Sequence, residues 1–216
     1  SSGTLLAQYA EGFAGIQTGD YPRFGRVLWE LSELESRWAL QQSTVTATVP
    51  FGGREHVVLW ENGAGELYRY VCERLGPNQV GAWLRGTDFA GRMGVAVSSM
   101  RSLPCTLYTG ELFDNNTAVI VPHNPDHLPA IWAFCSSPEY NEAVRRIDRK
   151  MNVTNATLVK VPFDLERWQK VAEERYPNGL PEPHSDDPTQ WLFEGYPVGS
   201  TAPLQVAVAR LLGYRW

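Results

Sequence analysis

Apolar and polar positions change period along this chain, and each change marks an element. Leu128, Ile131, Trp132 and Cys135 recur at i, i+3, i+4 and i+7, the spacing of one helical face turned to a core. A second helix follows at once. Ser137 can cap it, Pro138 takes the first helical position where a missing N–H costs nothing, and Ala143, Val144 and Ile147 supply its apolar face. A strand over Thr117–Val121 precedes this pair, and a return strand closing at Pro162 follows it.

Elsewhere the pattern is shorter. Leu67, Tyr70, Val71 and Leu75 predict a helix over Glu66–Leu75 stopped by Gly76-Pro77, and Asp164 caps another with Leu165, Trp168, Val171 and Ala172 inward, ended by Asn178-Gly179. Strands are predicted at Val27–Leu31, Glu55–Trp60, Ala82–Leu84, Gly94–Val97 and Cys105–Tyr108, with a polar, β-prone run from Gln41 to a turn at Gly52-Gly53. Leu5, Leu6, Tyr9 and Phe13 have helical spacing, so residues 1–14 read as a helix leaving a preceding catalytic domain. A last helix carries Leu204, Val208, Leu211 and Leu212 on one face and runs to Gly213. Together these elements predict an α+β fold of short-stranded mixed sheets with packed helices.

Charge then separates the segments. From Arg145 to Lys160 the chain holds Arg145, Arg146, Arg149, Lys150 and Lys160 against Asp148 alone, in a protein whose formal charge is -5. Residues 176–200 are the opposite, with Pro177, Pro181, Pro183, Pro188 and Pro197, four acids and no Lys or Arg. This segment reads as an acidic strap held by Trp191, Leu192 and Phe193. A net negative chain is a poor free-standing DNA binder, because phosphate neutralisation supplies most non-specific affinity. The objection is met if the cations gather on one face, or if a partner domain supplies much of the grip.

Composition excludes several classes. With 43% hydrophobic and 20% charged residues over 216 positions the chain can bury a sizeable core. Eight Trp and nine Tyr furnish either a thick aromatic core or a surface on which bases or sugars stack. Cys72, Cys105 and Cys135 form no C-x-x-C pair, which fits a reducing compartment, here the cytoplasm. No apolar run approaches the roughly 18 residues of a membrane helix. The Asn115, Asn152 and Asn155 sequons lack a signal peptide, so they read as chance. The opening at Ser1-Ser2-Gly3 reads as a cut from something longer.

Catalytic constellations are weak. His123 and His127 have the spacing of helical zinc ligands, but Pro122 and Pro125 break that helix. Ser98, Ser99 and Ser102 lack a G-x-S-x-G turn, which leaves a hydrolase poorly supported, and there is no P-loop.

Three ordered stretches nevertheless resemble a known family. Gly15-Ile16-Gln17-Thr18-Gly19-Asp20-Tyr21-Pro22-Arg23-Phe24, the run from Leu128 through Ser136-Ser137 to Val161-Pro162, and the tail from Ser185 to Trp216 are similar to target-recognition domains of adenine-N6 DNA methyltransferases. The closest pattern is that of TaqI-like specificity domains in type II restriction-modification and BREX-type phage-defence enzymes. The resemblance implies a recognition body over residues 15–175, followed by the strap and helix of 176–216. It implies double-stranded DNA as partner, beside a catalytic methyltransferase domain of the same chain. S-adenosylmethionine would belong to the parent protein, since a cofactor-binding Gly-rich turn and an [N/D]-P-P-[Y/F/W] loop are both missing and Asn124-Pro125-Asp126-His127 is only a partial imitation. The fragment alone is then non-catalytic, and whether the parent also cleaves DNA is open.

Under this resemblance Thr18 and Arg23 donate to phosphate while Asp20 fixes the turn, and Arg145, Arg149, Lys150, Asn155 and Lys160 are further DNA-binding candidates, Lys150 and Lys160 flanking the polar connector Asn152–Asn155 as phosphate partners. Arg85, Arg92 and Arg101, in middle loops, are the candidates for guanine. The alternative reading is a protein-interaction or scaffolding domain, which the acidic charge and aromatic content also suit.

Overall fold

A computed structural model describes residues 3–87, 91–100, 102–183, 185–191 and 199–212. In chain order its strands are β1 (Ala10–Ala14), β2 (Gly25–Val27), β3 (Trp38–Gln42), β4 (His56–Leu59), β5 (Gly94–Ser98), β6 (Cys105–Tyr108), β7 (Leu112–Phe113) and β8 (Thr117–Pro122). The helices are α1 (Tyr21–Phe24), α2 (Glu66–Leu75), α3 (Leu128–Cys135), α4 (Pro138–Ile147), α5 (Asn155–Leu158), α6 (Leu165–Arg175) and α7 (Pro203–Leu211). The architecture is α+β. One antiparallel sheet has the order β1-β8-β5-β6, and a second has β2-β4-β3-β7 with β7 parallel to β3.

The first sheet carries the main core, and unlike most antiparallel sheets it is covered on both faces. Every residue of β5, β6 and β8 is buried. Val95, Val97, Cys105, Leu107, Ala118 and Ile120 pack under α3, α4 and α6, while Ala96, Tyr108, Val119 and Val121 meet Phe113 and Phe13 on the other side. A strand buried twice reads as a continuous apolar run, as Thr117–Val121 does. The second sheet has its own core, where Leu67 and Val71 of α2 close over Phe24, Val58 and Leu59.

Local signals set the helices. Ser137 Oγ accepts from the Tyr140 amide at 3.4 Å and Asp164 Oδ1 from the Arg167 amide at 3.1 Å. Both caps start their helices at the expected residues, and α2 spans Glu66–Leu75 as predicted. Among the described residues the aromatics divide: Trp132, Trp168, Tyr108, Tyr140 and Phe134 are buried in the core, others such as Trp38, Trp60 and Tyr70 are half-buried against it, and Trp29 stays 56% exposed. The cysteines are free, and burial pushes the Cys105 thiol up to about 12, so it stays protonated.

Six expectations are corrected. The helix expected over residues 1–14 is not formed by the described residues 3–14: Leu6–Gln8 is a 3-10 turn, and Ala10–Ala14 is an integral strand of the first sheet, paired from Ala10↔Pro122 to Ala14↔Ala118. The buried edge of β8 needs backbone partners, and that demand overrides a helical spacing. The strand over Val27–Leu31 stops at Val27, because Glu30 Oε2 takes the Val27 amide at 2.9 Å and Leu28–Glu30 turns into a 3-10 helix. Ala82–Leu84 is no strand. Pro77–Ala82 winds as 3-10 helix, and the Trp83 and Leu84 amides both return to Val80 O.

The return strand before Pro162 is instead α5 and a short extended run. Its Val159 and Val161 carbonyls accept from Ala7 and Leu6, with a single bridge at Leu5↔Pro162. In α7 the predicted apolar face is the wrong one. Leu204, Val208, Leu211 and Leu212 are exposed, and Val206 and Ala209 are buried. The α4 face shifts likewise, with Tyr140 and Val144 buried and Ile147 exposed. In the strap Trp191 is an anchor, its ring 5.2 Å from Phe51; Leu192 and Phe193 lie outside the described residues. Among the described residues, no helix is long and apolar enough to cross a membrane.

Candidate nucleic-acid interface

The most basic segment of the sequence, Arg145–Lys160, begins in the last turns of α4. At the end of α4, Asp148 Oδ1 accepts the Lys150 amide at 2.9 Å, and Arg145 Nη1 donates to Lys150 O. This folds the chain back so that Arg149 and Lys150 stand exposed beside Met151. Arg146 meets Glu142 at 3.7 Å one helical turn away, an exposed pair of small energetic weight.

Beyond Lys150 the connector is tied to the first sheet. Asn152 bridges Met100, and the Val153 amide donates to Ser99 O at 2.9 Å, with Val153 itself buried. Asn155 Nδ2 donates to Gly12 O of β1 at 2.7 Å, and Tyr140 OH to Leu158 O at 3.1 Å. The amide nitrogen of Asn155 is thus occupied within the protein, and the residue positions the connector. Lys160 is exposed just beyond, on a turn closed by its own amide to Thr157 O.

The Gly15–Phe24 turn arrives at the same end of the sheet. Ile16 pairs with Asp114, and its amide donates to Phe113 O at 2.7 Å. A Cβ at Gly15 would fall 2.2 Å from Phe113 O, so only glycine allows this approach. Gly19, at φ +70, lies flat on Trp83, whose ring would be 2.3 Å from an added Cβ. Both glycines therefore serve contacts inside the molecule. Thr18 is buried, and Asp20 makes no side-chain cap on α1. Arg23 is exposed but paired, 2.5 Å from Glu66 Oε1, with its guanidinium 4.9 Å from the Phe24 ring and 5.3 Å from Tyr70. The Glu66 hydrogen bond raises its already high pKa, so it stays cationic at any working pH.

The three loop arginines do not form one set. Arg85 is exposed, two residues after Trp83, whose carbonyl receives the Gln17 amide at 2.9 Å, and so belongs to the turn's end of the molecule. Arg92 precedes β5 and reaches Pro122 O at 3.3 Å. It sits at the opposite end of β5 from the connector, a strand length of roughly 15 Å away. Arg101 lies outside the described residues.

One sheet end thus gathers the Gly15–Thr18 turn, the basic connector and a third segment, the Asp114–Thr117 turn between β7 and β8. Asp114 organises it, its Oδ1 accepting from the amides of Asn116 and Thr117 at 2.9 and 3.0 Å. In the sequence this turn shows only as the turn-forming run Asp114-Asn115-Asn116, whose Asn115 heads a sequon. The acidic strap is anchored elsewhere, since Phe51, the partner of Trp191, lies between Pro50 and Gly52, which both hydrogen-bond to edge strand β6. Among the described residues no cluster of three His, Cys, Asp or Glu could hold a metal. His123 Nδ1 lies 3.2 Å from Gln8 O and the His127 ring packs edge-on against Tyr9, on a 3-10 turn that ends before α3.

No protein-family model and no curated protein sequence matches the chain. Among solved structures it is similar to the Type IIL restriction-modification enzyme MmeI, solved in complex with DNA, at a TM-score of 0.45 and 13% sequence identity. That alignment covers 99% of this chain and 34% of the MmeI chain, so the chain spans about a third of that enzyme's length.

Proposed function

We propose that this chain is the duplex-DNA recognition portion of a larger enzyme, an adenine-N6 DNA methyltransferase of a restriction-modification or phage-defence system. The recognising body, which includes β1, runs from residue 10 to 175, and residues 176–216 are an acidic strap and helix kept off the DNA. The observation that carries this reading is the convergence at one sheet end of the exposed Arg149–Lys150 pair, the connector they lead into and the Gly15–Thr18 turn. The ordered likeness of the same segments to target-recognition domains supports it. Methyl transfer and S-adenosylmethionine binding then fall to another part of the parent protein, which holds the duplex jointly with this one and offsets the net charge of -5.

In this arrangement Lys150, Arg149 and Lys160 are phosphate partners. They set position without carrying sequence information. The test is duplex binding measured across a salt series. Lys150→Ala and Arg149→Ala should each weaken binding to all duplexes alike and lower the slope of log affinity against log salt by about one unit. Binding that does not depend on salt, or slopes unchanged in both variants, would refute the reading.

A further inference from the structure

Where β1, β5 and β8 meet the connector, a cleft of about 240 Å³ opens between Ala14, Ser99, Asn115, Thr117, Asn152 and Asn155. Among the described residues no charged side chain lines it. Thr117 is 2% exposed, and its hydroxyl is buried without a hydrogen-bond partner. A buried hydroxyl left unpaired is disfavoured, and native proteins keep few of them. This one sits where a strand of valines and an isoleucine begins, at a position where Val would fill the same space. The two asparagines at the rim, Asn115 and Asn152, are exposed. Asn115 belongs to the turn that Asp114 holds, and Asn152 is fixed by its bridge to Met100, so both amides are presented on ordered backbone.

The chemistry of this lining narrows the ligand. A phosphate would call for cations or a nest of amides, and here the cations stand outside the cleft, at Arg149 and Lys150. A side-chain amide instead offers one donor beside one acceptor, the complement of the N6/N7 edge of adenine. The volume corresponds to roughly eight waters at about 30 Å³ each, room for one heterocycle.

Resting on the DNA-recognition reading above, we propose that this cleft reads one adenine of the bound site. Asn115 and Asn152 present their amides to the base edge, the Thr117 hydroxyl lies at the floor, and Arg149 and Lys150 hold the flanking phosphates. Base discrimination then resides in these amides, and the loop arginines Arg85 and Arg92 are not its main source.

The experiment is selection of bound sequences from a pool of randomised duplexes, using the full chain and the variants Asn115→Ala, Asn152→Ala and Thr117→Val. The wild-type chain should enrich a motif containing at least one adenine. Loss of either amide should relax preference at that adenine by about ten- to a hundredfold, with affinity for scrambled duplex within twofold of wild type. The isosteric Thr117→Val should lose preference at the same position while folding at least as stably as wild type. All three variants selecting the wild-type motif at full stringency would overturn the cleft assignment and leave the DNA reading standing. Retention of no duplex at any salt concentration would overturn both.

Discussion

Replacing Glu111 by Ala should be among the most damaging changes to this fold, because it strands a buried cation. The Arg54 side chain is 3% exposed and that of Glu111 is 10%. Arg54 Nε donates to Glu111 Oε1 at 3.1 Å, Nη1 to Gly52 O at 3.1 Å, and Nη2 to Leu107 O at 2.7 Å and Thr109 Oγ1 at 3.2 Å. Its face lies 5.0 Å from the Trp191 ring and 5.7 Å from Phe51. One guanidinium therefore ties the segment entering β4 of the second sheet to the end of β6 in the first, and the strap to both. Burial lowers the Arg54 pKa more than Glu111 raises it, yet an arginine stays charged in any folded protein. Removing the carboxylate leaves that charge uncompensated, at a cost of about 3–5 kcal/mol.

For a chain of this length, each 1 kcal/mol moves the thermal midpoint by about 2–4 °C, so the midpoint should fall by roughly 6–20 °C. Arg54→Met combined with Glu111→Leu removes both charges and should recover at least half of the loss, since the desolvation of the ions disappears with them. The assay is chemical denaturation of Glu111→Ala beside a cycle made of Arg54→Met, Glu111→Leu and their double variant. If Glu111→Ala lost less than about 1 kcal/mol, the guanidinium would have to be solvated and the clamp between the sheets would not exist.

Arg167 holds Glu139 through two hydrogen bonds of 2.8 and 2.7 Å, and chiefly by that bonding it keeps the carboxyl below its ordinary 4.5. The depressed value means the pair's contribution is fully present above the unfolded pKa, neutral pH included, and is lost as pH falls through the folded one, so its pH dependence is confined to the acid range. Arg167→Met should move the Glu139 midpoint upward in a carboxyl NMR titration; an unmoved midpoint would show the pair does not persist in solution. Gly19→Ala, at φ +70 and against the Trp83 ring, should cost at least about 1–2 kcal/mol in urea unfolding. A neutral result would mean that the turn relaxes away from Trp83.

How much the sequence determined can be argued from particular residues. The caps Ser137 and Asp164, the stop at Gly76-Pro77 and the periodic faces of α2, α3 and α6 were legible, because a helix is decided within a few residues of itself. So was the basic run of Arg145–Lys150, of which Arg146, Arg149 and Lys150 are exposed. Only tertiary structure decided the rest. Ala10–Ala14 became a strand because β8, more than a hundred residues later, left an edge to be paired. The α7 helix has apolar residues on two faces, and burial of Val206 and Ala209 over Leu204 and Leu211 was settled by what it meets. The candidate site depends on the same kind of information. Gly15–Thr18, Asp114–Thr117 and Asn152–Asn155 meet only through the pairing of β1, β5 and β8, and no local pattern encodes which loops share an end of a sheet whose strands come from distant parts of the chain.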